Sequence, residues 1–450
     1  MRNGILLLLI SCALSAAPRE EFRKDFARTA ALPAGRAFRI EHQFGRVRVR
    51  THAKNEVDVR ATIRCSAPTA EEARRHADEV QITFEETASG VYVRTRYPNN
   101  WPRNVSYNAD YEILMPETAP LDIRNRFGET DVAGLHSAAT INSGNGSVTL
   151  IGARGRQRVE NSFGSVEVRS IDGDVAINNG NGRVIAGEIT GAVDITNRFE
   201  STRVTKAGRG VTIHSNNGWV EVDDAGGPVV VSDSFGRVNV TEAKSDVRVQ
   251  NQNGDVVATG VAGLADLHTS FGLITFARVG KGVTAIAQNS HIRGDTVGEA
   301  AVVETTFGSV DLRGVKGGAR VTAGNSPVRL AGIGGDVWVR DSFSPVNVAD
   351  AAGSVTVENQ NGSVDVQAKA GVGCKPISLR TSFGLIRVTV PRGIGYNVAA
   401  RTSFGRIHSD GASVTVTGDI TPDSLTGKIG AGGCDLRLNG QNGNIEIVSR

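Results

Sequence analysis

From about residue 121 onward, short apolar alternations are separated by turn residues at a fixed distance. The segment NSFGSVEVRSIDGDVAIN, residues 161–178, shows the unit: Val166, Val168 and Ile171 lie before a glycine turn, and Val175 and Ile177 after it. Val-x-Val and Val-x-Ile alternate with period two, which predicts short strands with one buried and one wet face. Gly164 and Gly173 stand just before the two alternations, where the chain must turn. Each unit thus predicts at least two strands, one on either side of a narrow apolar core.

The unit repeats without insertion. Phe127, Phe163, Phe199, Phe235, Phe271, Phe307 and Phe343 recur every 36 residues, and Asn145, Asn181, Asn217, Asn253, Asn289, Asn325 and Asn361 fall midway, so the basic period is 18 residues. A unit this small can bury its apolar face only against copies of itself, which is the logic of a solenoid. The fold class expected is all-β: a parallel β-solenoid over 121–382, with 18-residue coils grouped in 36-residue double repeats.

Why Phe and Asn alternate is a separate question. Rings in every coil would repeat at about 4.8 Å, within the short end of the range ring pairs prefer, so placing Phe in every second layer would relieve crowding. Extending the alternation of Val175 and Ile177 places the Phe row on the inward face, and the expectation is a Phe row in the core. The alternative is an outward row at about 9.6 Å spacing, an aromatic platform for sugar rings. Some copies depart from the pattern: Glu200 follows Phe199, Ser344 and Pro345 follow Phe343, and Ser290 and Ser326 follow Asn289 and Asn325.

The ends read differently. Strand patterns in FRIEHQFGRVRVRT, EVDVRATIRC and GVYVRTRY surround one helix pattern, TAEEARRHADEV, with a capping region at Ser66 to Thr69. Residues 34–120 are expected to form a β-rich N-terminal cap with that single short helix. After Asn361 the spacing to Phe383 is 22 and from there to Phe404 is 21, so 383–450 is expected to hold irregular coils and the C-terminal cap.

Composition sharpens this picture in two respects. Gly is 54 of 450 residues and aromatics are 5%, which favours strands and tight turns. The net charge of +3 is spread without a basic run, so no nucleic-acid partner is expected. Residues 1–17 have the basic start and apolar run of an export signal. Ala13 and Ser15 suit cleavage to a soluble product, whereas Leu9-Ile10-Ser11-Cys12 resembles a lipobox that would lipidate Cys12, the only membrane attachment expected. The location expected is extracytoplasmic: periplasm, outer membrane or cell surface. Cys65, Cys374 and Cys434 make no framework, and spacing leaves a Cys374–Cys434 bridge open.

Candidate chemistry is sparse. The outward positions of the first strand, Glu167, Ile185, Arg203, Glu221, Asn239, Val257, Thr275, Arg293, Asp311, Arg329, Asn347 and Asp365, contain no adjacent carboxylate pair for acid–base work. Arg293, Asp311 and Arg329 lie on successive coils and are expected to form an ion-pair ladder. His214 and His268 are three coils apart, about 14 Å, too far to share a metal. The turns read SFGS, NNGW or IDGD rather than GGxGxD, so calcium is not expected. No catalytic residue, cofactor or metal is assigned.

The opening TAEEARRHADEVQITFEE, the stretch YEILMPETAPLDIRNRFGETDVAGL and the ending LTGKIGAGGCDLRLNGQNGNIEI resemble the bacterial adhesin-like family carrying the DUF4097 β-strand repeat domain. With the repeats, the resemblance covers nearly everything after the leader. It implies the solenoid fold and a non-enzymatic surface role, and it carries over no binding residues. The expected partner is a polysaccharide or an envelope protein. The alternatives are a structural or stress-sensing envelope protein and, further off, a β-helix carbohydrate-active enzyme.

Overall fold

The computed structural model describes residues 19–99 and 104–450, so the leader and Cys12 lie outside the described residues. The chain is all-β, a parallel β-solenoid of about 15 turns of about 18 residues, with one helix among the described residues. It divides into a first unit, 1–148, and a second, 149–450.

In the first unit, strand Glu20–Ala31 pairs antiparallel with Glu56–Ala67 along its whole length, and Glu56–Ala67 pairs antiparallel with Ser106–Pro116. Strand Glu20–Ala31 has no counterpart in the sequence reading. The helix runs Ala70–Glu79, and the Thr69 hydroxyl accepts from the Glu72 amide at 3.2 Å, the N-cap the sequence pattern predicts. Its Ala73, His76 and Ala77 are buried. Parallel stacking begins with Ala37–Phe44 under Leu121–Phe127, which in turn pairs with Ala139–Asn145 in an 18-residue register.

The second unit has two strands per coil, such as Val166–Asp172 and Val175–Asn181. Each pairs in parallel with the strand 18 residues on: Val166 with Val184, Ile177 with Ile195. The stacked Val, Ile, Leu and Ala side chains form the core, and every interior strand finds backbone partners above and below.

Each coil bends at two kinds of place. One is a corner inside the first strand, where a residue between the inward Val168 and Ile171 lies in the left-handed region, Ser170 with φ 56°. The same position is left-handed in Glu188, Lys206, Asp224, Glu242, Arg278, Thr296 and Asp350, and is glycine at Gly152, Gly260, Gly314 and Gly332. A side chain there costs about 1 kcal/mol or more. Stacking enforces it because the extra residue lets both flanking side chains point inward.

The other corner lies at the Phe-Gly and Asn-Gly phrases. A Cβ added at Gly236 would lie 2.0 Å from the Gly218 carbonyl oxygen, so glycine is required where successive corners nest.

Candidate functional site

The Phe-Gly corner overturns the expectation of a Phe row in the core. Phe163, Phe199, Phe235, Phe271, Phe307, Phe343 and Phe383 of the second unit are each about half exposed, from 49% to 56%. The alternation of inward positions ends two residues earlier, at Val159 and Asn161. There the Asn161 amide turns into the corner and donates to the Gly164 carbonyl at 2.9 Å, as Asn179 does to Gly182 at 2.8 Å. A backbone carbonyl facing the interior needs a donor, so a polar side chain takes the inner corner and the following ring is left outside.

This buried polar column runs through Asn161, Asn179, Asn197, Ser215, Asp233, Asn251, Thr269, Thr305, Asp341, Asn359 and Thr381. Sequence reasoning missed it, although the signal is present: the residue two before each repeat Phe or Asn is small and nearly always polar. Burial raises the carboxyl of Asp233 above its ordinary range and pushes that of Asp341 up to about 6.

The crowding explanation for the alternation is also overturned. In the first unit, Phe44 and Phe127 sit on adjacent coils with ring centroids 5.2 Å apart and planes within 7°. Rings can therefore stack layer on layer here, and alternation has another consequence. Phe163 lies in register with Asn181, Asn217 with Phe235, Phe235 with Asn253, and Phe271 with Asn289 and Phe307 with Asn325. The second unit thus presents isolated rings about 9.6 Å apart with carboxamides between them. Asn361 is in register with Phe383, continuing the edge past the irregular spacing. In the first unit Phe127 is 37% exposed and Asn145 pairs with it.

Neighbouring side chains widen this edge. Trp219 and Leu273 are 41% and 37% exposed one corner position further on. The Arg203 guanidinium lies 5.3 Å from the Trp219 ring centre and pairs with Glu221 at 2.6 Å.

The expected ladder of Arg293, Asp311 and Arg329 is stacked in register but is not joined as predicted. Asp311 pairs instead with Arg313, two residues along its own strand, at 3.2 Å. A same-strand i,i+2 partner reaches the carboxylate without spanning coils. His214 is exposed, and His268 contacts Asp266 at 2.6 Å.

A polar cleft of about 470 Å³ lies at the C-terminal coils. Asp365, Arg387, Glu446 and His408 stand side by side on four paired strands, a juxtaposition hidden by the broken period. Arg387 takes Glu446 at 2.7 Å, so that carboxylate is engaged as an ion-pair partner. Among the described residues, no group of three or more His, Cys, Asp or Glu side chains could hold a metal ion. Cys374 and Cys434 are joined by a disulfide, and buried Cys65 has its thiol pushed up to about 11.

No protein-family model matches the chain, and no curated protein does. A solved structure from Clostridium sporogenes, described as a "putative cell adhesion protein", aligns over 95% of this chain and 100% of its own, at 9% identity and a TM-score of 0.16. A likeness that low carries no argument about function.

Proposed function

We propose that this chain is a non-enzymatic, adhesin-like binding protein that works outside the cytoplasm, with the Phe–Asn edge of its second unit binding polysaccharide. The observation that carries this reading is the row of half-exposed rings at two-coil intervals on one edge. Repeated exposure of large apolar side chains in one line is a mark of an interaction surface. Isolated rings offer flat faces to the C–H faces of sugars, and the intervening carboxamides can both donate to and accept from hydroxyls. Two coils, about 9.6 Å, is close to the disaccharide repeat of an extended β-1,4-linked chain. Weak contacts at many coils would add up by avidity.

The leader-like 1–17 and the Cys374–Cys434 disulfide support an oxidising, extracytoplasmic location. No helix among the described residues is long and apolar enough to cross a membrane. A lipid on Cys12 remains part of this proposal.

The test is co-sedimentation of the mature protein with a panel of insoluble envelope and plant polysaccharides. Saturable retention on at least one polymer, without release of reducing sugar, is the expected result. No retention on any would transfer the role to a protein partner. Steady release of sugar would make the protein an enzyme.

A further inference from the structure

One stretch of the Phe–Asn edge departs from the mostly neutral side chains along the rest of it. Four successive coils of the second unit carry Arg183, Ser201, Trp219 and Arg237 in one column, two residues beyond the rings and amides. Backbone bonds hold the column in register: the Val184 N–H donates to the Ser201 carbonyl at 2.9 Å, Thr202 to Trp219 at 3.0 Å and Val220 to Arg237 at 2.9 Å. Arg198 precedes Phe199 on the other side of the edge, in a column that is otherwise uncharged throughout the second unit. Beyond Arg237 the first column continues as Asp255, Leu273, His291 and Ser309 and holds no further arginine.

Arg183, Arg198 and Arg237 are exposed, and beside them stand the exposed rings of Phe199, Trp219 and Phe235. Among the described residues, the ion pair within this patch is that of Arg203 with Glu221, which leaves three guanidiniums unpaired against one unpaired carboxylate, Glu200. The next acid along the column, Asp255, accepts from the Leu273 amide at 2.9 Å. Three coils, about 14 Å, separate Arg183 from Arg237, and two coils, about 9.6 Å, separate Phe199 from Phe235. Cations set among exposed rings favour a charged sugar over a neutral one: the rings take C–H faces, and a guanidinium fork takes a carboxylate through two parallel N–H bonds. A nucleic acid would use the same groups, but it needs a longer cationic track than three arginines on an edge that meets Asp255.

We infer that this patch gives the edge a preference for acidic polysaccharide: a β-1,4-linked uronate chain lies along the rings of Phe199, Trp219 and Phe235 with its carboxylates on Arg183, Arg198 and Arg237. The inference rests on the polysaccharide reading and adds to it a place and a ligand class.

The test is calorimetric titration of the full mature chain with cellohexaose and with its C6-oxidised counterpart, a β-1,4-linked hexaglucuronate, so that the two ligands differ only at C6. The native protein should bind the hexaglucuronate roughly fivefold or more tightly than cellohexaose, and salt of about 0.5 M should remove most of that preference. The double variant Arg183→Gln, Arg237→Gln should lose the preference and keep the unfolding midpoint, since both side chains are exposed. Arg198→Gln, with the salt dependence, serves if the double variant does not fold. Equal affinity for the two hexamers, or an unchanged preference in the variants, would overturn the inference and leave the polysaccharide reading standing. Tighter binding of a single-stranded oligonucleotide than of the hexaglucuronate would overturn it in favour of nucleic acid. Binding of neither hexamer would overturn it too, and the polysaccharide reading falls with it only if retention on insoluble polymer is also absent.

Discussion

Replacing Gly294 with valine will destabilise the second unit by about 3 kcal/mol, and replacing Phe276 with valine in the same molecule will restore most of it. The reason lies in one inward column. Successive coils present Val240, Ala258, Phe276, Gly294, Leu312 and Leu330 at the same place. Phe276 is buried to 1% exposure, and its ring extends into the layer of Gly294, where an added Cβ would lie 2.2 Å from the ring and 2.9 Å from Leu312. Phe276→Val alone leaves a cavity costing about 2–4 kcal/mol. The double variant returns the column to the Val packing seen at Val240 and Val348, so its loss should be about 1 kcal/mol. Denaturant midpoints of the four proteins check this. Additive losses would mean that the two residues do not share the space assigned to them.

Asp341 gives the second large effect, and it depends on pH. Its carboxyl is 1% exposed and terminates strand Val337–Asp341. Burial raises its pKa from 3.8 to about 6, partly opposed by inward backbone N–H groups including that of Ser344 at 2.8 Å. A carboxyl with a raised folded-state pKa binds its proton more tightly when folded. Its contribution is therefore complete below about pH 4 and is lost as pH rises through about 6, a change of about 3 kcal/mol for two pKa units. Asp341→Asn removes the titration while keeping an acceptor for Ser344 and supplying an amide donor of the kind used elsewhere in the column. The variant should exceed the parent in stability by about 2 kcal/mol at pH 7.5, with the gap closing by pH 4. Unfolding midpoints across that range decide it, and parallel profiles would remove Asp341 as the cause.

The period was legible because each coil rests on its neighbour in the same register, so Val166 must be matched by something like Val184. The side on which Phe163 lies was not, since period-two counting assumes an uninterrupted strand. The count fails where Asn161 turns inward to serve a carbonyl. Strand Glu20–Ala31 was invisible for a different reason: only Ala30 in it is buried, so it has almost no apolar alternation to read. The left-handed corner at Ser170, Glu188 and Lys206 unites residue types with nothing in common, because stacked neighbours impose that conformation. Cys374 and Cys434 are 60 residues apart in sequence, and only the folded coils bring their Cα atoms to 5.7 Å. Of the candidate edge, the sequence named every ring and amide but placed the rings on the wrong face, and it missed the inward polar column behind them.

The central claim is that the exposed rings are a binding edge and do not hold the fold together. It is tested most directly by comparing retention isotherms of the native protein and a Phe235→Ala, Phe271→Ala, Phe307→Ala variant on a polysaccharide that retains the former, with unfolding midpoints measured alongside. Three half-exposed rings removed from one edge should weaken retention by roughly tenfold or more while the midpoint stays nearly unchanged. Undiminished retention, or collapse of the fold, would contradict the account.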